Sequence, residues 1–107
     1  MPWLVLYHPE VEHDLRRLGR TEARNVLKVL EERVANGEPD KLGKALTGDL
    51  AGCRRIRTGQ TRIVYEVNGS RVEVLLIAVG MRRDKEIYDA AYGRIDRYSA
   101  NTAFTQP

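Results

Sequence analysis

A chain of 107 residues, 42% hydrophobic and 31% charged, has the size and composition of one soluble globular domain with a single modest core, too small for two. Its lone cysteine, Cys53, excludes an intrachain disulfide, no Cys/His group has zinc spacing, and neither a charged leader nor a long apolar run is present, so a cytosolic protein that enters no membrane is expected. The net charge of +3 is unevenly placed, with eight basic against nine acidic residues up to Gly52 and ten against six from Cys53 onward, which suits a polyanionic partner for the second half.

Trp3-Leu4-Val5-Leu6-Tyr7 is a compact apolar, aromatic run that reads as a first strand. Pro9 then suits a helix's first turn, where its missing N–H would be unpaired anyway. Glu10, Glu12 and Asp14 place negative charge at the positive end of that helix's dipole. Val11, Leu15 and Leu18 form one apolar stripe, and Gly19 ends it. Thr21 can cap a second helix running to about Asn36, with Ala23, Leu27, Leu30, Val34 and the neighbouring Val26 facing inward. Asn36-Gly37 and Pro39 break it. The two helices form an antiparallel hairpin able to cover one face of a sheet. Residues 37–52 read as loop, anchored by Leu46 and Leu50.

A three-stranded antiparallel meander follows. Cys53 to Arg57 is its first strand, Thr58-Gly59-Gln60 the turn, and Thr61 to Val67 the second strand. Asn68-Gly69 tolerates the positive φ of a tight hairpin turn into the third, Arg71 to Val79. That strand begins alternating and ends continuously apolar, which places it in the sheet interior with both faces covered at that end. Gly80 ends it. Asp84 can cap a final helix whose Ile87, Tyr88, Ala91, Tyr92 and Ile95 recur at helical spacing. The expected fold is α+β: an N-terminal strand, helix hairpin, three-stranded meander and C-terminal helix in a two-layer sandwich, with the arginine-bearing face only partly covered. Residues 1–98 make the single domain and 99–107 a flexible tail.

Four arginines, Arg54, Arg55, Arg57 and Arg62, fall between Cys53 and Tyr65 with no acid among them. Alternation along a strand puts Arg55 and Arg57 on one face and Arg54 with Ile56 on the other. Clustered arginines repel unless an anion sits among them, so Arg55, Arg57, Arg62 and the later Arg82 together suggest a phosphate site. Arg54 and Arg83 read as ordinary surface cations, Tyr65 and Trp3 as packing residues, Cys53 as a small buried hydrophobe, and His8 and His13 as surface residues. Tyr88 fits either a packing aromatic or a site residue.

The segments Leu50-Ala51-Gly52-Cys53-Arg54-Arg55-Ile56-Arg57, Arg62-Ile63-Val64-Tyr65 and Val79-Gly80-Met81-Arg82-Arg83-Asp84-Lys85-Glu86-Ile87-Tyr88, with the strand–hairpin–meander order, resemble the RelE/ParE superfamily of bacterial toxins over Trp3 to Ile95. The resemblance implies a toxin of a type II toxin–antitoxin system. For RelE-like members it implies an endoribonuclease that enters the ribosomal A site and cuts mRNA through the RNA's own 2′-hydroxyl, without metal or cofactor. Arg62 and Arg82 match that family's phosphate-binding arginines and Tyr88 its tyrosine. Arg55 and Arg57 fall where RelE carries two lysines, and an arginine cannot serve as an ordinary general base. The same resemblance implies a small, acidic, RelB-like antitoxin whose partly disordered segment folds onto the toxin. It leaves two other functions open, a ParE-like gyrase inhibitor without nuclease chemistry and a nucleic-acid-binding autoregulator.

Overall fold

The computed structural model describes residues 2–81 and 84–100, with residue 84 and residues 96–100 described through their backbone alone. Strand β1 is Leu4–Tyr7, helix α1 Val11–Leu18, and helix α2 Arg20–Val29, which widens into a π-helical turn over Leu30–Ala35. Strands β2 (Lys44–Ala45), β3 (Cys53–Thr58), β4 (Thr61–Asn68) and β5 (Glu73–Gly80) precede helix α3 (Asp84–Ala100). Gly19, at φ +89°, both ends α1 and opens α2, so the cap expected at Thr21 is not used there. That φ is readily adopted only without a Cβ.

The strand order is β1-β5-β4-β3-β2, with β1 parallel to β5 and the remaining neighbours antiparallel. A parallel pair cannot be joined by a tight turn; the chain leaves β1 through the α1–α2 hairpin, reaches β2 at the far edge and returns through β3 and β4 to β5. Strand β5 is buried from Val74 through Gly80, as its apolar run requires.

Burying both faces of β5 also decides the layering, which differs from two layers. Val26, Leu30 and Val34 of the hairpin pack with Ile56, Ile63, Tyr65, Val74 and Leu76 on one face. Ile87 and Ala91 of α3 pack with Cys53, Val64, Leu75, Ile77 and Ala78 on the opposite face. The third helix therefore shares its side of the sheet with the arginines. The helical pattern is otherwise as expected, except that Leu27 stands 46% exposed because Val26, one residue before it, takes the inward position.

The 37–52 region is more regular than a loop. It holds β2, which pairs Lys44 with Arg55 and Ala45 with Arg54, and a 3₁₀ turn over Gly48–Leu50. Two residues are too short to show alternation, so β2 left no periodic signal. Arg54 holds this segment by donating from Nε to the Leu42 carbonyl at 2.6 Å. Tyr65 does so from beneath, its hydroxyl donating to the Pro39 carbonyl at 2.8 Å. Burial pushes that phenol up to about 12, and the neighbouring Arg54 cation opposes the shift.

The β4–β5 connection is not the tight turn expected at Asn68-Gly69. Positive φ falls on Val72, at 54°, and the Asn68 side chain organises the loop by accepting from the Arg71 N–H and the Ser70 hydroxyl. An asparagine that caps its own loop removes the need for a left-handed conformation at its own position. His8, expected at the surface, is buried, and its Nδ1 accepts the Glu10 N–H at 3.0 Å; His13 is exposed. Helix α3 reaches Ala100, and residues 101–107 lie outside those described.

Candidate nucleic-acid interface

Strands β3 and β4 bring three arginines to one patch of the α3 face. Arg57 and Arg62 are direct cross-strand partners, and Arg55, paired with Val64, lies two residues along on the same face. Like charges directly opposite each other on a sheet cost up to about 1 kcal/mol, so packing alone would not favour this pair. Arg55 donates from Nη1 to the Tyr88 hydroxyl at 3.1 Å, which joins α3 to the patch. Arg57 is exposed, while Arg55, Arg62 and Tyr88 are half-buried.

A cleft of about 360 Å³ opens beside the pair, lined by Arg57, Gly59, Gln60, Arg62 and Met81. Four of these five residues come from the β3–β4 hairpin, and the fifth, Met81, directly follows β5. Gly59 and Gln60 were read only as turn residues, although a turn joining two arginine-bearing strands necessarily lies beside both. Arg82 lies outside the described residues; in the chain it follows by two positions Gly80, which is paired with Arg62.

The other assignments divide by face. Arg54 and Tyr65 are cross-strand partners on the hairpin side, away from the cleft. Cys53 is buried, and burial pushes its thiol up to about 12 with Glu66 adding to the shift. It is thus a packing residue, not a nucleophile. The Glu66 carboxyl, opposite Cys53, is raised above the usual carboxylate range by burial. Among the described residues no cluster of three or more His, Cys, Asp or Glu side chains could hold a metal ion, and no helix is long and apolar enough to cross a membrane.

Solved structures share this fold. An arginine-to-alanine double mutant of the Escherichia coli toxin RelE in the free state is 29% identical with a TM-score of 0.72, over 89% of this chain and 99% of that one. The RelBE2 toxin–antitoxin complex of Mycobacterium tuberculosis matches at 26% identity and a TM-score of 0.70, over 77% of this chain and 100% of that one. The E. coli RelE mutant bound to a peptide of the antitoxin RelB matches at 27% identity and a TM-score of 0.55, over 85% and 95% of the two chains. No curated protein sequence matches. The fold and site thus define a toxin of the RelE/ParE superfamily of type II toxin–antitoxin systems. The model for the ParE toxin of the type II toxin–antitoxin system parDE matches residues 5–86, and the chain belongs to that family.

Proposed function

We propose that this toxin is an endoribonuclease that cuts mRNA, with the ribosomal A site as its place of action. The observation that carries the reading is the convergence of Arg55, Arg57 and Arg62 with the Tyr88 hydroxyl beside one open cleft. In the proposed reaction a ribose 2′-oxygen attacks the adjacent phosphorus and the P–O5′ bond breaks, leaving a 2′,3′-cyclic phosphate and a 5′-hydroxyl. The 2′-OH loses a proton to a base, and the departing 5′-oxygen gains one. Arg62, with Arg82 following Gly80, neutralises charge growing on the non-bridging oxygens, and Arg55 and Arg57 bind flanking phosphates. Of Arg55, Arg57, Arg62 and Tyr88, only the phenol can exchange a proton.

Tyr88→Phe should therefore lower cleavage of a ribosome-bound mRNA by about 10²-fold or more with little change in RNA affinity, measured by single-turnover kinetics alongside binding. An unchanged rate would remove Tyr88 from proton transfer. The second reading, a gyrase inhibitor, is favoured by the match to the ParE model and by arginine, not lysine, at positions 55 and 57. Inducing the toxin in bacteria discriminates the two. Loss of translation before any change in plasmid supercoiling supports cleavage, and the reverse order supports the gyrase reading.

The same proposal includes an acidic, RelB-like antitoxin. The α1–α2 hairpin offers an apolar groove of about 380 Å³ formed by Leu15, Gly19, Ala23 and Leu27 with Glu12, Arg16 and Arg20 at its rim. That suits the apolar stripe of an amphipathic helix, while acidic side chains meet the arginine face. Residues 1–98 are proposed as the single toxin domain.

A further inference from the structure

One buried charge pair lies behind the candidate site, and its acid, Asp14, was expected from the sequence only as one of three charges at a helix start. Asp14, on α1, is only 3% exposed and Arg94, on α3, only 9%. They meet through both oxygens and both terminal nitrogens, Nη1 to Oδ2 at 2.5 Å and Nη2 to Oδ1 at 2.9 Å.

Their place is set by the sheet. Strand β1 ends at Tyr7 opposite Leu76, whereas β5 continues to Gly80, and a bulge leaves Ile77 without a partner in β4. This leaves backbone groups of β5 beyond the reach of β1, and an unsatisfied buried backbone group is costly. The pair takes them up. Asp14 Oδ2 accepts the Val79 N–H at 3.0 Å, and Arg94 Nη1 also donates to the Ile77 carbonyl at 2.9 Å. One carboxylate thereby links the hairpin side of the sheet, the end of β5 and the helix on the opposite side.

Two parts of the candidate site leave from this junction. Val79 precedes Gly80, the partner of Arg62, and the chain then runs through Met81 to Arg82. Arg94 lies six residues after Tyr88, about 9 Å along the same helix. Among the described residues, α3 otherwise packs toward the sheet through Ile87 and Ala91, with Tyr88 and Ile95 partly buried, and non-directional apolar contacts set the register of a helix less sharply than hydrogen bonds do. A bidentate guanidinium–carboxylate pair fixes both depth and azimuth. Buried ion pairs add little net stability over an apolar pair of similar shape, so geometric specification is the better account of this one.

We propose that Asp14 and Arg94 are positioning residues: together they hold α3 and the end of β5 so that the Tyr88 hydroxyl meets Arg55 beside the Arg57–Arg62 cleft. Their catalytic consequence rests on the nuclease reading above; their structural consequence does not.

The test pairs two variants with two readouts. Asp14→Leu with Arg94→Met replaces the pair by apolar groups of similar size and leaves no lone buried charge, so it should fold, with reduced stability from the lost Val79 N–H and Ile77 carbonyl contacts. Arg94→Lys keeps the charge and loses the fork. The first readout is the Tyr88 signal in protein labelled at the tyrosine ring carbon bearing the hydroxyl, assigned through Tyr88→Phe. The second is cleavage, resolved into kcat and KM. In the double variant the Tyr88 signal should move or split, and the melting temperature should fall while unfolding stays cooperative, because the Val79 N–H and the Ile77 carbonyl lose their partners. Under the nuclease reading kcat should fall about tenfold or more, with KM changed less than about threefold. Arg94→Lys should shift the same signal by a smaller amount. A folded double variant with an unmoved Tyr88 signal overturns the proposal. Should the unaltered protein cut no RNA, the nuclease reading fails while the Tyr88 signal still decides the positioning role.

Discussion

Arg62→Ala should lower mRNA cleavage by about 10²–10³-fold and abolish growth arrest while leaving the protein folded. Arg62 is half-buried at the centre of the arginine patch, opposite Arg57 on one side and Gly80 on the other. A half-buried guanidinium aimed at a phosphate acts at lower dielectric than an exposed one and is already oriented when charge develops. Under the nuclease reading, removing it takes away a charge-assisted contact that strengthens in the transition state, at a cost of about 3–4 kcal/mol on the barrier. The fold should survive, because the substitution also relieves the repulsion between Arg57 and Arg62. Circular dichroism with a thermal melt checks folding, and single-turnover cleavage of ribosome-bound mRNA checks the rate. Growth arrest by a folded Arg62→Ala protein would count against the phosphate clamp and return the gyrase reading to first place.

The largest expected loss of stability comes from a residue outside the site. Gly43→Ala should lower stability by about 2–5 kcal/mol, combining the left-handed conformation with a forced overlap. Gly43 sits at φ +63°, and a Cβ there would lie 2.1 Å from the Arg55 carbonyl oxygen and 2.6 Å from Ile56 Cγ2. The first of these is backbone of β3 and cannot rotate aside. Either β2 detaches, breaking its pairing with Arg54 and Arg55, or β3 shifts and carries Arg55 away from Tyr88. In a domain of this size such a loss should lower the melting temperature by at least about 8 °C. A melting temperature within about 2 °C of the unaltered protein would show that the Gly43 backbone can yield, and that the β2–β3 pairing is looser than its geometry implies.

Much of this was determined by the sequence itself, because the signals are local and periodic. The stripes Val11, Leu15, Leu18 and Ala23, Leu27, Leu30, Val34 define the hairpin, although Val26 and not Leu27 takes the inward position; the apolar run in β5 defines an interior strand, and alternation in β3 sorts Arg55 and Arg57 from Arg54. The family resemblance was legible at the same level, since the residues that support it are few and closely grouped. Tertiary structure alone decided which face α3 takes. A helix with one apolar stripe fits either side of a sheet, and the choice follows only once the hairpin has covered the other face of β5. That choice brings Tyr88 to Arg55, across 33 residues of chain. It also joins Asp14, which read only as one of three acids at a helix start, to Arg94, 80 residues away. No local pattern marks a buried charge pair, because burial is a property of what packs around a residue, and here α1, α3 and the end of β5 must all be in place before either charge leaves water.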